Sequence, residues 1–152
     1  MLQITVVITD QISNFLDTQK LGYVATVSSD FKPNVSPKGT IARWDSNTLV
    51  FADIRSPDTV ANLRKNPHVE ISAIDPLVRR GYLFVGVAKI VTSGDLFERG
   101  LDFYRNKGIK SPINSIIHVK VSNVMPVTSP LYDLGVSENE IKSKWQDNFS
   151  QR

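Results

Sequence analysis

The chain has 152 residues, enough for one domain with a proper core, and its 41% hydrophobic and 22% charged content marks the soluble globular class. It contains no cysteine, which excludes disulfides and thiolate chemistry and is compatible with a reducing cytoplasm. The formal charge of +3 comes from scattered lysines and arginines rather than a basic run interleaved with aromatics, so no nucleic-acid partner is expected; nor does any segment approach the length that spans a bilayer.

The opening MLQITVVITDQ has no basic stretch ahead of its short apolar run, so it does not read as a leader. Ile8, Ile12, Phe15 and Leu16 then recur at helical spacing, which predicts an amphipathic helix over 9–18 capped by Thr9 or Asp10. Gly22 breaks it, a β-rich run follows over 23–28, and Ser29-Asp30 turns the chain. The next strand is expected over 34–44. Pro37 and Gly39 inside it point to an edge, a bulge or a close approach by another group.

After a turn at Asp45-Ser46-Asn47, a strand through Leu49-Val50-Phe51 leads to a short helix. Ser56 is its expected N-cap, Pro57 suits the first helical position, and Asn66-Pro67 stops it. Such a helix start, with Lys38 nearby, suits an anion such as phosphate. A half-buried strand is expected over 69–74, a turn at Asp75-Pro76, and a strand over 82–92 with Gly86 and Ala88 on one face. Ser93-Gly94-Asp95 introduces a helix through Leu96, Phe97, Leu101 and Tyr104 that ends at Lys107-Gly108. Ile117, Val119 and Val121 alternate with His118, Lys120 and Ser122, predicting a strand with one wet or interfacial face. The segment 129–152 is expected as a loosely packed tail. It ends in a helix whose capping box is Ser137-x-x-Glu140 and whose stripe of Ile141, Trp145 and Phe149 must cover the barrel or a partner subunit.

No internal repeat or domain boundary is visible, so 1–152 reads as one mainly β domain with peripheral helices. His68 and His118 show no metal-ligand spacing, and G-x-S-x-G, H-E-x-x-H and P-loop motifs are absent. No metal is expected, and no catalytic residue can be assigned.

Pro33-Asn34-Val35-Ser36-Pro37-Lys38-Gly39, Phe51-Ala52-Asp53, Thr59-x-x-Asn62-Leu63-x-x-Asn66-Pro67-x-Val69 and Gly81-Tyr82-x-Phe84-x-Gly86-x-Ala88 together resemble the FMN-binding split-barrel family named after pyridoxamine 5'-phosphate oxidase. The resemblance spans residues 21–127 and rests on the order and spacing of these blocks. It implies a homodimer of six-stranded split β-barrels with FMN at the subunit interface. On its terms Ser36, Pro37, Lys38 and Gly39 meet the phosphate or flavin edge, Ala52 and Asp53 lie against the isoalloxazine, Ser56 and Thr59 hold phosphate, and Asn62 braces the helix. The chemistry it implies is an oxidoreductase acting on a small molecule with NAD(P)H as a candidate donor. Its alternatives are a flavin carrier without turnover, and a dimer that has lost FMN and binds another ligand or a protein. Where relatives carry Arg or Lys, this chain has Asp58-Thr59, and a carboxylate there opposes a phosphate, with Arg55 and Lys38 as nearby compensating charges. The C-terminal arginine and histidine pattern of the vitamin B6 oxidase is missing, so that reaction is not expected.

Overall fold

The computed structural model describes residues 6–152. Residues 1–5 of the opening stretch, read above as no leader, lie outside them.

Helix α1 (Asp10–Gln19) forms where its period predicts, with the Thr9 hydroxyl accepting from the Ile12 N–H at 3.3 Å. Strands β1 (Gly22–Val27) and β2 (Pro33–Lys38) form a hairpin. Strands β3 (Ala42–Asp45) and β4 (Thr48–Asp53) form a second. Helix α2 (Pro57–Lys65), strands β5 (His68–Asp75) and β6 (Arg80–Val91), helix α3 (Asp95–Asn106) and strand β7 (Ser115–Thr128) follow. A 3-10 turn (Pro130–Tyr132) and helix α4 (Glu138–Ser150) end the chain.

All seven strands join one antiparallel sheet in the order β2-β1-β5-β6-β7-β4-β3. This corrects the expectation of a six-stranded split β-barrel: there are seven strands, and among the described residues no ladder joins edge strand β2 to edge strand β3. The extra strand arises because the run expected over 34–44 is two strands. The chain leaves β2 after Lys38, crosses over through Gly39, Thr40 and Ile41, and enters β3 at the opposite edge of the sheet. Pro33 and Pro37 sit in β2, where a missing N–H is tolerated because only one side of an edge strand is paired.

The sheet curls around its main core. Ile8, Ile12 and Leu16 bring α1, and Leu63 brings α2, onto Val24, Phe51, Ile71, Phe84 and Ile117. Arg43 anchors α1, pairing with Asp10 at 2.8 Å and donating to the Ile8 carbonyl at 3.0 Å. A second cluster fills the other face of β4 and β7, where α3 lays Tyr104, Phe97 and Leu101 against Val50, Ala52 and Ile116. The helix comes close because Gly100 faces Ile116, where a Cβ would collide.

That cover corrects the reading of β7. Its face is wet only in part: Lys120 and Ser122 are exposed, but α3 and Trp44 close the face at His118, which is 7% exposed with its ring edge-on to Trp44 at 4.9 Å. Burial and the Lys89 charge hold the imidazole below its ordinary pKa, with Asp45 opposing, so it is neutral at pH 7. Strand β7 also runs further than expected, pairing with β6 as far as Thr128.

The C-terminal segment is firmly seated. Ile141 of α4 is 1% exposed, the Arg79 guanidinium stacks 3.6 Å above the Trp145 ring centre, and the Tyr132 hydroxyl donates to the Val78 carbonyl at 2.5 Å. The Ser137–Glu140 capping box is formed. Among the described residues, no helix is long and apolar enough to cross a membrane.

Gly86 sits at the β6 bulge, where an added Cβ would lie 2.5 Å from the Lys120 carbonyl oxygen. Gly86→Ala is expected to destabilise the protein by about 1–3 kcal/mol, the usual cost of overpacking against backbone. Urea unfolding at unchanged m-value checks this; an unaltered midpoint would show that the β6–β7 bulge yields freely.

Candidate functional site

The β1–β2 hairpin has two chemically distinct faces. Asn34, Ser36 and Lys38 of β2 turn inward beside Val24 and Thr26, while Tyr23, Ala25, Val27, Pro33, Val35 and Pro37 turn outward. The inward face meets the N-terminus of α2, which Asn62 fixes by donating to the Thr26 hydroxyl at 3.0 Å, both side chains being buried.

The curl of the sheet brings its unpaired edges near each other. The crossover from β2 to β3 lies beside β4, held by the Ala52 N–H donating to the Thr40 hydroxyl at 3.0 Å and by the Tyr104 hydroxyl donating to the Thr40 carbonyl at 2.9 Å. Burial keeps the Tyr104 phenol well above its ordinary pKa, so it is a structural donor, not an acid. Along this seam opens a groove of about 630 Å³, bounded by Ser36, Lys38 and Thr40 on one side and Ala52, Arg55 and Ser56 on the other. Its volume falls in the range of small-molecule sites. A hollow of about 220 Å³ continues it past Asn34 to Ser56, Asp58 and Thr59 at the start of α2.

Lys38 dominates the electrostatics. It is 7% exposed, its ammonium donates to the Ser36 hydroxyl at 2.6 Å, and it forms no ion pair among the described residues. Burial holds its pKa below the ordinary lysine value, and the Asp53 charge offsets part of that shift. An ammonium has three donors, so two remain for a ligand.

Asp53 itself does structural work. One carboxylate oxygen accepts the Ser56 N–H at 2.9 Å and the other accepts the Ser115 hydroxyl at 3.2 Å, tying the start of α2 to the start of β7. Ser56 occupies the N-cap position, but its side chain makes no capping bond. The Asp58 and Thr59 N–H groups carry no hydrogen bond among the described residues, as expected at a helix start, and Pro57 has none to offer. Arg55 and Asp58 are exposed and unpaired among the described residues.

Of the residues singled out from sequence, Ser36, Pro37, Lys38, Gly39, Ala52, Ser56 and Thr59 line the groove or its continuation. Asp53 and Asn62 point into the frame behind it. Sequence reading passed over Asn34, Thr40 and Ile54 as lining residues; Asn34 stands in the Pro33–Gly39 block without a role assigned to it, Thr40 and Ile54 belong to no block, and the curl of the sheet brings all three there. Gly39 spares no close contact, since a Cβ there would meet only the Lys20 carbonyl at 3.4 Å. Among the described residues no cluster of His, Cys, Asp or Glu could hold a metal.

The donor set of one buried ammonium, two hydroxyls, an exposed guanidinium and two free N–H groups fits a ligand carrying phosphate, with Asp58 as the one opposing charge. Fold and groove thus define a small curled-sheet protein with an anion-accepting cleft at its open seam. The chain belongs to the pyridoxamine 5'-phosphate oxidase family, whose sequence profile matches residues 8–126. Among solved structures it is similar to HupZ of Group A Streptococcus, with 27% identity, a TM-score of 0.72, and coverage of 80% of this chain and 94% of that one. It is also similar to a Lactobacillus delbrueckii protein named after pyridoxamine 5'-phosphate oxidase, with 21% identity, TM-score 0.67, and coverage of 80% and 95%. A third is an FMN-binding protein of Syntrophomonas wolfei, with 16% identity, TM-score 0.63, and coverage of 79% and 86%. No match was found among functionally curated proteins.

Asp53→Ala leaves the buried Ser56 N–H and Ser115 hydroxyl without acceptors, and is expected to cost about 1–3 kcal/mol for each group left unsatisfied. Chemical denaturation measures the loss; a stability within error of wild type would mean that the start of α2 is held by something else.

Proposed function

We propose that this chain binds FMN in the seam groove and acts as a flavin-dependent oxidoreductase on a small molecule, with NAD(P)H as electron donor. The observation that carries this reading is the buried Lys38 ammonium. It has one hydroxyl acceptor and no ion pair among the described residues, and it lines a groove of suitable size that leads to a helix N-terminus. Family membership and a fold relative described as FMN-binding support it.

In this reading Ser36 and Lys38 meet the phosphate or the polar edge of the flavin, and the chain at Gly39 and Ala52 borders its ring. Ser56, Thr59, Arg55 and the free N–H groups of α2 meet the phosphate. Flavin, when bound, supplies hydride or electron transfer, which suits a site with no nucleophile–base pair. The protein's share is to orient, to screen water from the groove and to set the charge near the ring.

A second copy of the chain is the proposed partner. The outward face of the β1–β2 hairpin is wholly apolar, with Tyr23 50% and Val35 62% exposed, and it lies on the same edge as the groove. Covering it would also close the groove from one side.

The first test is an absorbance spectrum of protein mixed with FMN and freed of excess. Retained flavin bands that NADPH bleaches support the oxidoreductase, bands that NADPH leaves unchanged point to a flavin carrier, and colourless protein overturns flavin binding. Light scattering should report a dimer at micromolar concentration, and Tyr23→Lys with Val35→Lys should shift it to monomer.

A pH dependence follows from Lys38. A bound phosphate favours the charged ammonium, so FMN affinity is expected to fall as pH rises through the Lys38 pKa, which lies below 10.5 in the free protein. For folding the sign is opposite: between that lowered value and 10.5 the unfolded chain binds the extra proton, so stability of the free protein rises with pH. Lys38→Met should remove both slopes; a wild-type affinity profile in that variant would show that Lys38 does not meet the ligand.

A further inference from the structure

A hollow of about 270 Å³ lies beside the first turn of α3, on the face of β4, β6 and β7 that this helix covers only in part. Lys89 pairs with His118, and Val87 with Lys120, across β6 and β7, so these side chains share one face. Trp44 and Leu96 complete an apolar wall with Val87. The hollow shares no lining residue with the seam groove, and its Thr48 lies four residues, about 14 Å, along β4 from Ala52. His118 is its unusual member. The side chain is 7% exposed, and its Nε2 is buried with no hydrogen-bond partner among the described residues. Such an orphaned polar atom is costly, and folded interiors keep few of them. The charges around the ring are mostly positive: Lys89 from β6, Arg99 from α3 and Lys120 two residues along β7, with Asp45 of β3 opposing. Asp45 already accepts the Asn47 N–H at 3.0 Å within its own turn. Lys89 and Lys120 form no ion pair among the described residues, and Arg99 meets Asp95 only at 3.9 Å.

We propose that this hollow is a second ligand site, for a small organic phosphate whose oxygens meet Lys89, Lys120 and the His118 imidazole and whose organic body lies on Trp44, Val87 and Leu96. The surrounding charge selects an anion. A phosphate monoester carries about −1.5 to −2 charge at neutral pH and presents three acceptor oxygens, which two ammoniums and one ring N–H can share. The apolar wall selects an organic one, since a bare phosphate would leave Trp44, Val87 and Leu96 uncovered. In the free protein burial, and after it the Lys89 charge, hold the His118 pKa down; Asp45 opposes and Arg99 adds to the effect. A phosphate beside the ring turns that balance round and draws a proton onto the imidazole. The site does not depend on flavin in the seam groove, and it stands whichever cofactor binds there.

The test is a titration of the full chain with phenyl phosphate and with inorganic phosphate, followed by NMR of its imidazole rings. The chain has only two histidines, so His68→Gln fixes the assignment. Phenyl phosphate is expected to shift the His118 signals saturably, to leave the exposed His68 unmoved, and to raise the His118 pKa by about one unit or more. Lys89→Gln combined with Lys120→Gln should weaken binding about tenfold or more. Both positions are exposed, and the unfolding midpoint of the double variant checks that it is folded. Lys38→Met, in the seam groove, should leave the His118 response as it is in the wild type. A His118 signal that ignores phenyl phosphate overturns the proposal, as does a folded double variant that binds like the wild type. Inorganic phosphate that binds as tightly as phenyl phosphate overturns the organic ligand, and loss of the response in Lys38→Met overturns the separate site.

Discussion

The molecule depends on a sheet that curls but does not close. At the seam a hydrogen-bonded ladder is replaced by two side-chain bonds through Thr40, one from the Ala52 N–H and one from the Tyr104 hydroxyl. Ladder bonding there would have filled the space with backbone. Holding the crossover by one threonine keeps the edges together yet leaves a groove between them, with the inward side chains of β2 along its length. The burial of Lys38 follows from the same arrangement, since only the curl encloses a side chain that starts on an edge strand. The frame around the groove is correspondingly stiff: Asp53 ties α2 to β7, and Asn62 ties it to β1.

Electrostatically the groove is graded. A buried ammonium without an ion pair marks one end, and the start of α2 presents free N–H groups beside the exposed charges of Arg55 and Asp58 at the other. Burying an unpaired cation is costly, and one neutral hydroxyl is a thin compensation. A fold that retains such a group with only the more distant Asp53 charge to offset it, and no ion pair among the described residues, is suited to an anion from outside. Asp58 works against this only where its own carboxylate faces the incoming charge, which makes the position of the phosphate, and not merely its presence, the discriminating variable.

Features set by local chemistry were legible in the sequence. Thr9 and Ser137 cap the helices they were expected to cap, and Pro57, Pro67 and Gly108 mark helix limits by local restriction of the backbone, Pro67 acting on Asn66 before it. Features set by distant packing were not. The crossover at Gly39, Thr40 and Ile41 has no turn signature, so two strands at opposite edges read as one. His118 read as wet because alternation reports only one core, and β7 serves two. The groove residues of β2 and α2 were found through motif spacing, but the division of labour among them was not. Asp53 and Asn62 hold the frame behind the groove rather than lining it.

The place of β7 in the sheet has a temporal meaning. It is the last strand in sequence, yet it lies between β6 and β4, and it alone joins the four strands β2, β1, β5 and β6 to the hairpin of β3 and β4. On the ribosome the two portions are therefore made early but have no ladder between them until β7 emerges. The unpaired edges of β6 and β4 stay open through the synthesis of α3, and the groove cannot exist before the last strand arrives. Assembly of the groove and completion of the sheet are a single late event in the life of each new chain.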